Sequence, residues 1–198
     1  MSSTDATSTD ATDAGAAFDS TRFRSVLGQF ATGVTVMTAV AEGAPVGFAC
    51  QSFAALSLDP PMVLFCPGRH SRAWAAIERS GRFCVNVLAD HQRDVSSVFG
   101  SRGEDKFAGL TWFPSPGGSP VLDGALTWID CTIAAVHPGG DHLVVIGRVQ
   151  ALGQLGHERP LLFYRGAYTS TDAADTGPAP DRDDLEAFLT WPRHDDWV

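Results

Sequence analysis

The fold is decided by the stretch Val46–Pro67, VGFACQSFAALSLDPPMVLFCP. Its two flanks, Val46–Cys50 and Met62–Cys66, are apolar enough to form buried strands. Between them lie residues 51–57, QSFAALS, which are mostly small and uncharged, and then the turn formers Asp59-Pro60-Pro61. Such a connection brings its backbone N–H groups close to a flat neutral ligand, because no bulky side chain holds the ligand away. The stretch therefore predicts strand, loop, strand, with a ligand at the loop.

Strands dominate the chain on both sides of this stretch, interrupted by short helices. A first helix is expected to begin at Asp19 or Ser20 and to end at Thr32-Gly33. Its apolar face is formed by Phe23, Val26, Leu27 and Phe30 at i, i+3, i+4 and i+7. Two further helices are predicted at 71–79 and 90–99. The predicted strands are 34–40, 46–50, 62–66, 82–88, 125–136, 142–152 and 160–169.

The predicted architecture is mainly β, with six or seven mostly antiparallel strands and a few short helices. Strand–helix alternation is not sustained, which disfavours a doubly wound parallel sheet. Closure of the sheet into a barrel is favoured because closure removes exposed sheet edges. Residues 138–140, Pro-Gly-Gly, are expected to form the hairpin turn between the two longest strands.

Composition predicts one folded domain at residues 18–170, flanked by two segments of different character. Residues 1–17 consist of Ser, Thr, Asp, Ala and Gly after the initial Met, and we expect a disordered leader. Residues 171–198 form a C-terminal tail that begins polar and Pro-containing. Within the tail, 183–189 is expected to form a short helix, and Trp191 and Trp197 are candidates for docking on a neighbour.

Charge and motif content exclude several classes of protein. The net charge of −9 argues against a nucleic-acid surface. No apolar run approaches the roughly 20 residues of a membrane span, and the N-terminus lacks the pattern of a signal peptide. Cys50, Cys66, Cys84 and Cys131 lie in apolar runs, which favours reduced, buried thiols in a cytoplasmic protein. The six histidines show no metal-ligand spacing, so we expect no metal site.

The sequence also lacks the motifs of the common nucleotide-binding and nucleophile enzymes. It contains no G-x-G-x-x-G, no P-loop and no G-x-S-x-G. Asp130 and Cys131 lie within a predicted strand, where core positions are more common than a nucleophile without a neighbouring base. If the protein is an enzyme, its reactive atoms are expected to belong to a bound cofactor.

Several short motifs occur in an order that resembles one known family. They are TGVTVMT at 32–38, QSF at 51–53, SLDPP at 57–61, Ser71-Arg72, FCVNVL at 83–88, Lys106-Phe107 and Gly140-Asp141-His142. The ordered set resembles the flavin reductases of two-component flavin-dependent monooxygenases, over roughly residues 18–170. The resemblance implies the FMN-binding split β-barrel, a Greek-key-like antiparallel fold.

Longer segments resemble one subgroup of that family. They include FRSVLGQF, GRFCVNVL, RPLLFYRG and the tail segment RDDLEAFL. They are similar to the reductase subunit of the actinobacterial monooxygenase that hydroxylates a ring-opened phenolic steroid, a secosteroid, in cholesterol and androgen breakdown. Reductases that serve oxygenases of phenol or antibiotic pathways are the alternative.

The resemblance implies an NAD(P)H:flavin oxidoreductase. Hydride would pass from NADH to FMN or FAD, and the reduced flavin would leave for a separate monooxygenase, the oxygenase component. A homodimer with flavin near the subunit interface is also implied. No Arg cluster lies near His142 in sequence, which favours NADH over NADPH. The choice between FMN and FAD stays open.

The resemblance assigns candidate site residues in four flavin-binding groups and one nicotinamide group. Flavin contacts are expected from Thr32, Gly33, Val34, Thr35 and Val36, from Cys50, Gln51, Ser52, Phe53, Ala54, Ala55 and Ser57, from Ser71 and Arg72, and from Lys106 and Phe107. Ser71 and Arg72 suit a phosphate, because a helix N-terminus attracts anions. Asp141, His142 and Tyr168 are expected to bind the nicotinamide nucleotide, with His142 at the site of hydride transfer.

Each candidate also has an ordinary structural interpretation. A Ser-rich connection, a capped helix beside a solvated Arg, a solvated Lys and a strand-edge His are all common. Two other functions remain open from the residues alone, a non-catalytic flavin carrier and a split-barrel oxidase of a pyridoxine phosphate. The oxidase would be expected to use more basic phosphate ligands than Ser71, Arg72 and Lys106 provide.

Overall fold

A computed structural model describes residues 19–103 and 105–171. The predictions for the leader at 1–17 and for most of the tail lie outside these residues. The helices are α1 (Ser20–Leu27), α2 (Arg72–Ser80) and α3 (Arg93–Gly100), and a 3-10 helix at Asp90–Gln92 precedes α3. The strands are β1 (Thr32–Gly33), β2 (Thr35–Ala41), β3 (Ala44–Cys50), β4 (Ala54–Leu58), β5 (Pro61–Phe65), β6 (Arg82–Val87), β7 (Trp112–Pro114), β8 (Pro120–Leu122), β9 (Thr127–Gly139), β10 (His142–Leu152), β11 (Leu162–Tyr164) and β12 (Ala167–Thr169).

Seven of these strands form one antiparallel sheet in the order β3-β2-β6-β9-β10-β5-β4. A flat sheet of seven strands would be about 29 Å across, at roughly 4.8 Å per strand spacing. Its two outermost strands, β3 and β4, are nevertheless joined by only Gln51, Ser52 and Phe53. Four Cα steps from Cys50 to Ala54 span at most about 14 Å. The sheet must therefore curl until its two edges face each other.

The curled sheet is a split barrel, as the family resemblance implies. Its edge strands β3 and β4 are not hydrogen-bonded to each other. We call this gap, bridged by 51–53, the seam. The expectation of a fully closed barrel was therefore wrong, because the two edge strands do not pair. The antiparallel, mainly β fold class is confirmed.

The interior of the barrel is packed around three aromatic rings. The ring of Phe65 lies 5.0 Å from that of Phe83 and 5.7 Å from that of Trp74, both in edge-on geometry. Such edge-on pairs are preferred by aromatic quadrupoles. Trp74 and Ile77 are the buried residues of α2, so this helix closes one side of the core, as its periodicity predicts. A second cluster, around Val34, Phe99 and Phe107, lies under α3.

The boundaries of α2 follow directly from local chemistry. The hydroxyl of Ser71 accepts a hydrogen bond from the backbone N–H of Trp74 at 3.2 Å. Gly81 ends the helix in the left-handed region, at φ 71°, which glycine adopts without strain. Both caps were predicted from sequence and are confirmed.

The predicted loop at 51–57 is the main error in the expected elements. Only residues 51–53 lie outside regular structure, because Ala54–Leu58 forms β4 and pairs with β5. Small Ala and Ser residues gave no strand signal, yet the turn at Asp59-Pro60 folds them back onto Pro61–Phe65. As an edge strand, β4 keeps most of its side chains exposed.

Two other regions differ from the expected elements. The single strand expected at 160–169 is a hairpin, β11–β12, with its turn at Arg165-Gly166. The small hairpin β7–β8 has no counterpart among the predicted strands. Short strands of this kind are set by tertiary pairing and carry little periodicity of their own.

The first helix is shorter and more exposed than its periodicity predicts. It ends at Leu27, so Phe30 lies beyond it. Phe23, Val26, Leu27 and Phe30 are 48%, 61%, 55% and 77% exposed, and we call these four residues the α1 surface. Large apolar side chains grouped in this way commonly mark an interface. No described helix has the length and apolar character needed to cross a membrane.

Candidate functional site

Two neighbouring cavities lie along β3. One, of about 880 Å³, runs between the start of α2 and the segment that follows α3, and we call it the basic cleft after Arg72, Arg102 and Lys106. The other, of about 530 Å³, lies at the seam beside Gln51, and we call it the seam cavity. Both are lined by Phe48, Ala49 and Gly100. One elongated ligand can therefore occupy both.

The basic cleft has the charge of an anion-binding site. Lys106 donates a hydrogen bond from Nζ to the carbonyl oxygen of Phe99 at 2.8 Å. Burial, followed by the nearby Arg72 guanidinium, lowers the pKa of Lys106 below its ordinary value. The guanidinium groups of Arg72 and Arg102 make no hydrogen bond or ion pair with any described residue, and no acidic residue is among the described residues that line the cleft. A phosphate would relieve the repulsion between Arg72 and Lys106.

The seam cavity is bordered by a loop that is tied to the end of β5. The hydroxyl of Ser52 accepts a hydrogen bond from the N–H of Cys66 at 2.9 Å and donates one to the carbonyl of Cys66 at 3.2 Å. Its proton is therefore engaged within the protein. Burial raises the pKa of the adjacent Cys50 thiol, which keeps this group neutral. The loop thus presents an uncharged surface.

His142 also lines the seam cavity, and its neighbours hold it in place. Its Nδ1 lies 2.8 Å from Oδ1 of Asp141, and this hydrogen bond lowers the pKa of Asp141. The backbone of His142 forms a bridge with Gly68, and Leu143 donates to the carbonyl of Pro67 at 2.9 Å. His142 makes no other side-chain hydrogen bond within the described residues, so Nε2 is available to a ligand.

Tyr168 forms another wall of the seam cavity. Its hydroxyl lies 3.0 Å from the hydroxyl of Ser96, which α3 places in the core. Its ring meets that of Phe163 edge-on at 5.4 Å. Both Ser96 and Phe163 also line the cavity, so the β11–β12 hairpin and α3 together fix this wall.

The structure brings together about half of the candidate residues. Ser71, Arg72, Lys106 and Phe107 line the basic cleft, and Val34, Cys50, Gln51, Ser52, His142 and Tyr168 line the seam cavity. Thr32, Gly33, Thr35, Val36, Phe53, Ala54, Ala55, Ser57 and Asp141 line neither cavity. Thr35 and Val36 are buried within the sheet, where the Thr35 hydroxyl donates to the carbonyl of Cys50 at 2.8 Å.

Sequence reasoning missed several lining residues. They include Phe48, Ala49, Ser96, Gly100, Arg102 and Phe163. Arg102 stands four positions before Lys106 in the same polar segment, and that proximity was a usable signal. Ser96 and Tyr168 are 72 positions apart in sequence, and no local pattern connects them.

One cluster outside the two cavities consists of residues of the types that bind metal ions. Ligand atoms of Asp90, His91 and Glu158 lie within 4.8 Å of one another. The Asp90 carboxylate already forms an ion pair with Arg159 at 3.0 Å, and His91 Nδ1 lies 2.7 Å from Glu158. The members satisfy one another, and acidic groups on a surface are common without an ion.

Comparison with known proteins identifies the family. Residues 27–172 match the model of the flavin reductase like domain. The chain is 62% identical to reductase subunit HsaB of a flavin-dependent monooxygenase from Rhodococcus jostii, over 92% of this chain and 93% of the relative. Its identity with the subunit of the same name from Mycobacterium tuberculosis is 60%, over 92% of this chain and 99% of that relative.

A solved structure with similar sequence has the same fold. Nitrilotriacetate monooxygenase component B from Mycobacterium thermoresistibile superimposes with a TM-score of 0.80 at 63% identity, over 86% of this chain and 96% of that one. The NADH:FAD oxidoreductase SgcE6 from Streptomyces globisporus superimposes with a TM-score of 0.75 at 31% identity, over 80% of this chain and 96% of that one. The chain belongs to the flavin reductase family and is an NAD(P)H:flavin oxidoreductase that supplies reduced flavin to a separate oxygenase.

Proposed function

We propose that flavin lies along β3, with its isoalloxazine ring in the seam cavity and its phosphate in the basic cleft. The observation that carries this placement is that the two cavities adjoin at Phe48, Ala49 and Gly100. One offers an uncharged slot and the other offers unpaired cations, which matches the two halves of the ligand. A flavin bound in this way would accept hydride from NADH and would then leave.

At the ring end, this chain contributes backbone N–H groups of 51–53. The Ser52 hydroxyl holds this loop against Cys66, so its donors are positioned before the ligand arrives. Donors fixed in advance stabilise the negative charge that develops on the ring as hydride is delivered, as in an oxyanion hole. The neutral Cys50 thiol adds no competing charge.

At the nicotinamide end, His142 positions the reductant. Hydride transfer between two flat rings depends above all on proximity and stacking, so we assign His142 no proton transfer. Asp141 holds Nδ1 and leaves Nε2 for a hydrogen bond to NADH. Asp141 contributes by orienting His142, since its own side chain lines neither cavity.

Replacing His142 with Ala is expected to raise the KM for NADH about tenfold, because one hydrogen bond from a half-exposed group is lost. The Kd for flavin should change much less. Stopped-flow reduction of bound flavin, with Kd from titration, separates the two effects. Asp141→Asn is the matched variant and should give a smaller increase. An unchanged KM for NADH in His142→Ala would contradict this role.

The overall activity is tested by NADH consumption in the presence of FMN, FAD or riboflavin. The reductase is expected to oxidise NADH with at least one flavin, both in air and anaerobically. A non-catalytic carrier would bind flavin and leave NADH unoxidised, and that result would overturn the proposed function.

For the pathway, we propose that the partner oxygenase hydroxylates a ring-opened phenolic steroid. The sequence resemblance described above supports this assignment, together with the 62% and 60% identity to the actinobacterial HsaB subunits. Coupled assays with a steroid-type oxygenase and with a phenol oxygenase distinguish the two pathways. Hydroxylation of phenol alone would reject the steroid assignment.

We also propose that the reaction takes place in the cytoplasm. The four cysteines of the protein are free thiols, which suits a reducing compartment. Fractionation of the native host, followed by immunodetection, tests this location directly.

The resemblance to the flavin reductases of two-component monooxygenases leads us to propose a homodimer, with the α1 surface as part of its interface. Leu27→Glu is expected to raise the dimer dissociation constant about 10- to 100-fold, because a charge would be buried against apolar groups. Ser25→Glu, on the other side of α1, is the matched control and should leave the dimer intact. Sedimentation velocity measures both variants. Sedimentation of the unsubstituted protein as a monomer would refute the proposal.

A further inference from the structure

The basic cleft is longer than one phosphate requires. Its floor is formed by five consecutive residues of β3, from Pro45 to Ala49. At about 3.3 Å per residue this floor extends roughly 13 Å. The Ala49 end adjoins the seam cavity, where the ring is proposed to lie, so the cleft continues along β3 for roughly 13 Å beyond that end.

Among the described residues, three cations line the cleft, and two of them lie near each other. Arg72, at the first turn of α2, and Lys106 are close enough for Arg72 to lower the pKa of Lys106. They form one position for an anion. Arg102 lines the same cleft from the segment that follows α3. It has no hydrogen-bond or ion-pair partner among the described residues, which leaves its guanidinium available to a second anion.

We infer that the cleft accommodates the diphosphate of FAD, and that Arg102 determines selectivity by binding the second phosphate. This inference rests on the flavin placement proposed above. The planar guanidinium fork suits a phosphate, which it can bind through two parallel hydrogen bonds. FMN has only the first phosphate, which the Arg72–Lys106 pair takes.

The comparisons leave this choice open. The Streptomyces globisporus relative, at 31% identity, is named for FAD. A relative from Agrobacterium fabrum, at 39% identity, is named as an FMN reductase. Relatives of this chain are thus named for either flavin, so membership of the family does not by itself determine which flavin is preferred.

The test is the ratio of kcat/KM for FAD to kcat/KM for FMN, measured at fixed ionic strength with saturating NADH. Arg102→Gln is expected to lower this ratio about tenfold, as one charge-assisted hydrogen-bond pair in a partly exposed cleft is lost. Added salt should lower the same ratio in the unsubstituted enzyme more steeply than in the variant. Arg93→Gln removes an exposed Arg of α3 that lines neither cavity, and it should leave the ratio unchanged.

The outcomes separate this inference from the proposed function. A ratio within twofold of the unsubstituted value in Arg102→Gln, with both flavins still reduced, would overturn the role of Arg102 and leave the reductase assignment intact. An equal fall in the ratio for Arg93→Gln would also overturn it, since the effect would then be one of net charge. Failure of the unsubstituted protein to oxidise NADH with any flavin would overturn the proposed function itself.

Discussion

Arg72→Met is expected to raise the KM for FMN relative to that for riboflavin about 30-fold. Riboflavin lacks the phosphate, so its binding does not depend on the Arg72–Lys106 pair. The expected size follows from the loss of a charge-assisted phosphate contact, reduced by the exposure of Arg72. Steady-state NADH oxidation with each flavin gives the two KM values. Arg79→Met, in the last turn of the same helix, is the control.

The pH dependence of the same binding step provides an independent check. Lys106 has a lowered pKa, so the free enzyme loses this proton at a lower pH than an ordinary Lys does. A bound phosphate favours the charged form and raises the pKa again. Affinity for FMN should therefore fall as pH rises through the pKa of Lys106 in the free enzyme, while affinity for riboflavin should not follow.

Burial is the main cause of the lowered pKa of Lys106, and Arg72 lowers it further. Arg72→Met should therefore shift that fall in affinity to higher pH, because the contribution of Arg72 is removed. An identical pH profile for FMN and riboflavin would contradict the placement of the phosphate. So would an Arg72→Met variant with an unchanged ratio of KM values.

Gly147→Ala is expected to destabilise the protein by about 3 kcal/mol, because overpacking of a rigid core is costly. An added Cβ would overlap the ring of Phe83, at 3.0 Å from Cε1 and nearer still to Cζ, and would lie 3.3 Å from Cγ2 of Val63. The Phe83 ring is fully buried against Phe65, so it has no free space to move into. Urea unfolding followed by tryptophan fluorescence measures the change.

Gly33→Ala is the matched control for this prediction. Nothing lies within 4 Å of a Cβ added at Gly33, and the free energy of unfolding should stay within about 0.5 kcal/mol of the original value. A Gly147→Ala variant as stable as Gly33→Ala would mean that the ring of Phe83 can repack, and the barrel interior would then be less rigid than its geometry indicates.

Much of the fold could be predicted because its signals are local. Ser71 and Gly81 define α2 through caps that involve only a few neighbouring residues. The turn at Gly140-Asp141 between β9 and β10 needs a positive φ, and Gly140 provides it at 76°. The strand β4 could not be predicted, because Ala54 and Ala55 have weak strand preference and pair only where the curled sheet offers them β5.

The site was predictable to a smaller extent. Lone residues such as Lys106 and His142 have common alternatives, and it was the order of motifs that singled them out. The engaged hydroxyl of Ser52 depends on the end of β5 fourteen positions away. Thr35 and Val36 are buried in the sheet and line neither cavity. Their position could not be predicted, because alternation along a strand does not by itself show which face meets a cavity.

The seam also affects how quickly a product can leave. In this family the reduced flavin is itself the product, so turnover requires release of the flavin in every cycle. The seam cavity borders a gap where β3 and β4 share no ladder hydrogen bonds, and residues 51–53 connect these two strands. Departure of flavin there would break no sheet pairing, so release need not be coupled to local unfolding. Amide hydrogen exchange at 51–53 should therefore slow when flavin binds, with the paired strands β6 and β9 unaffected.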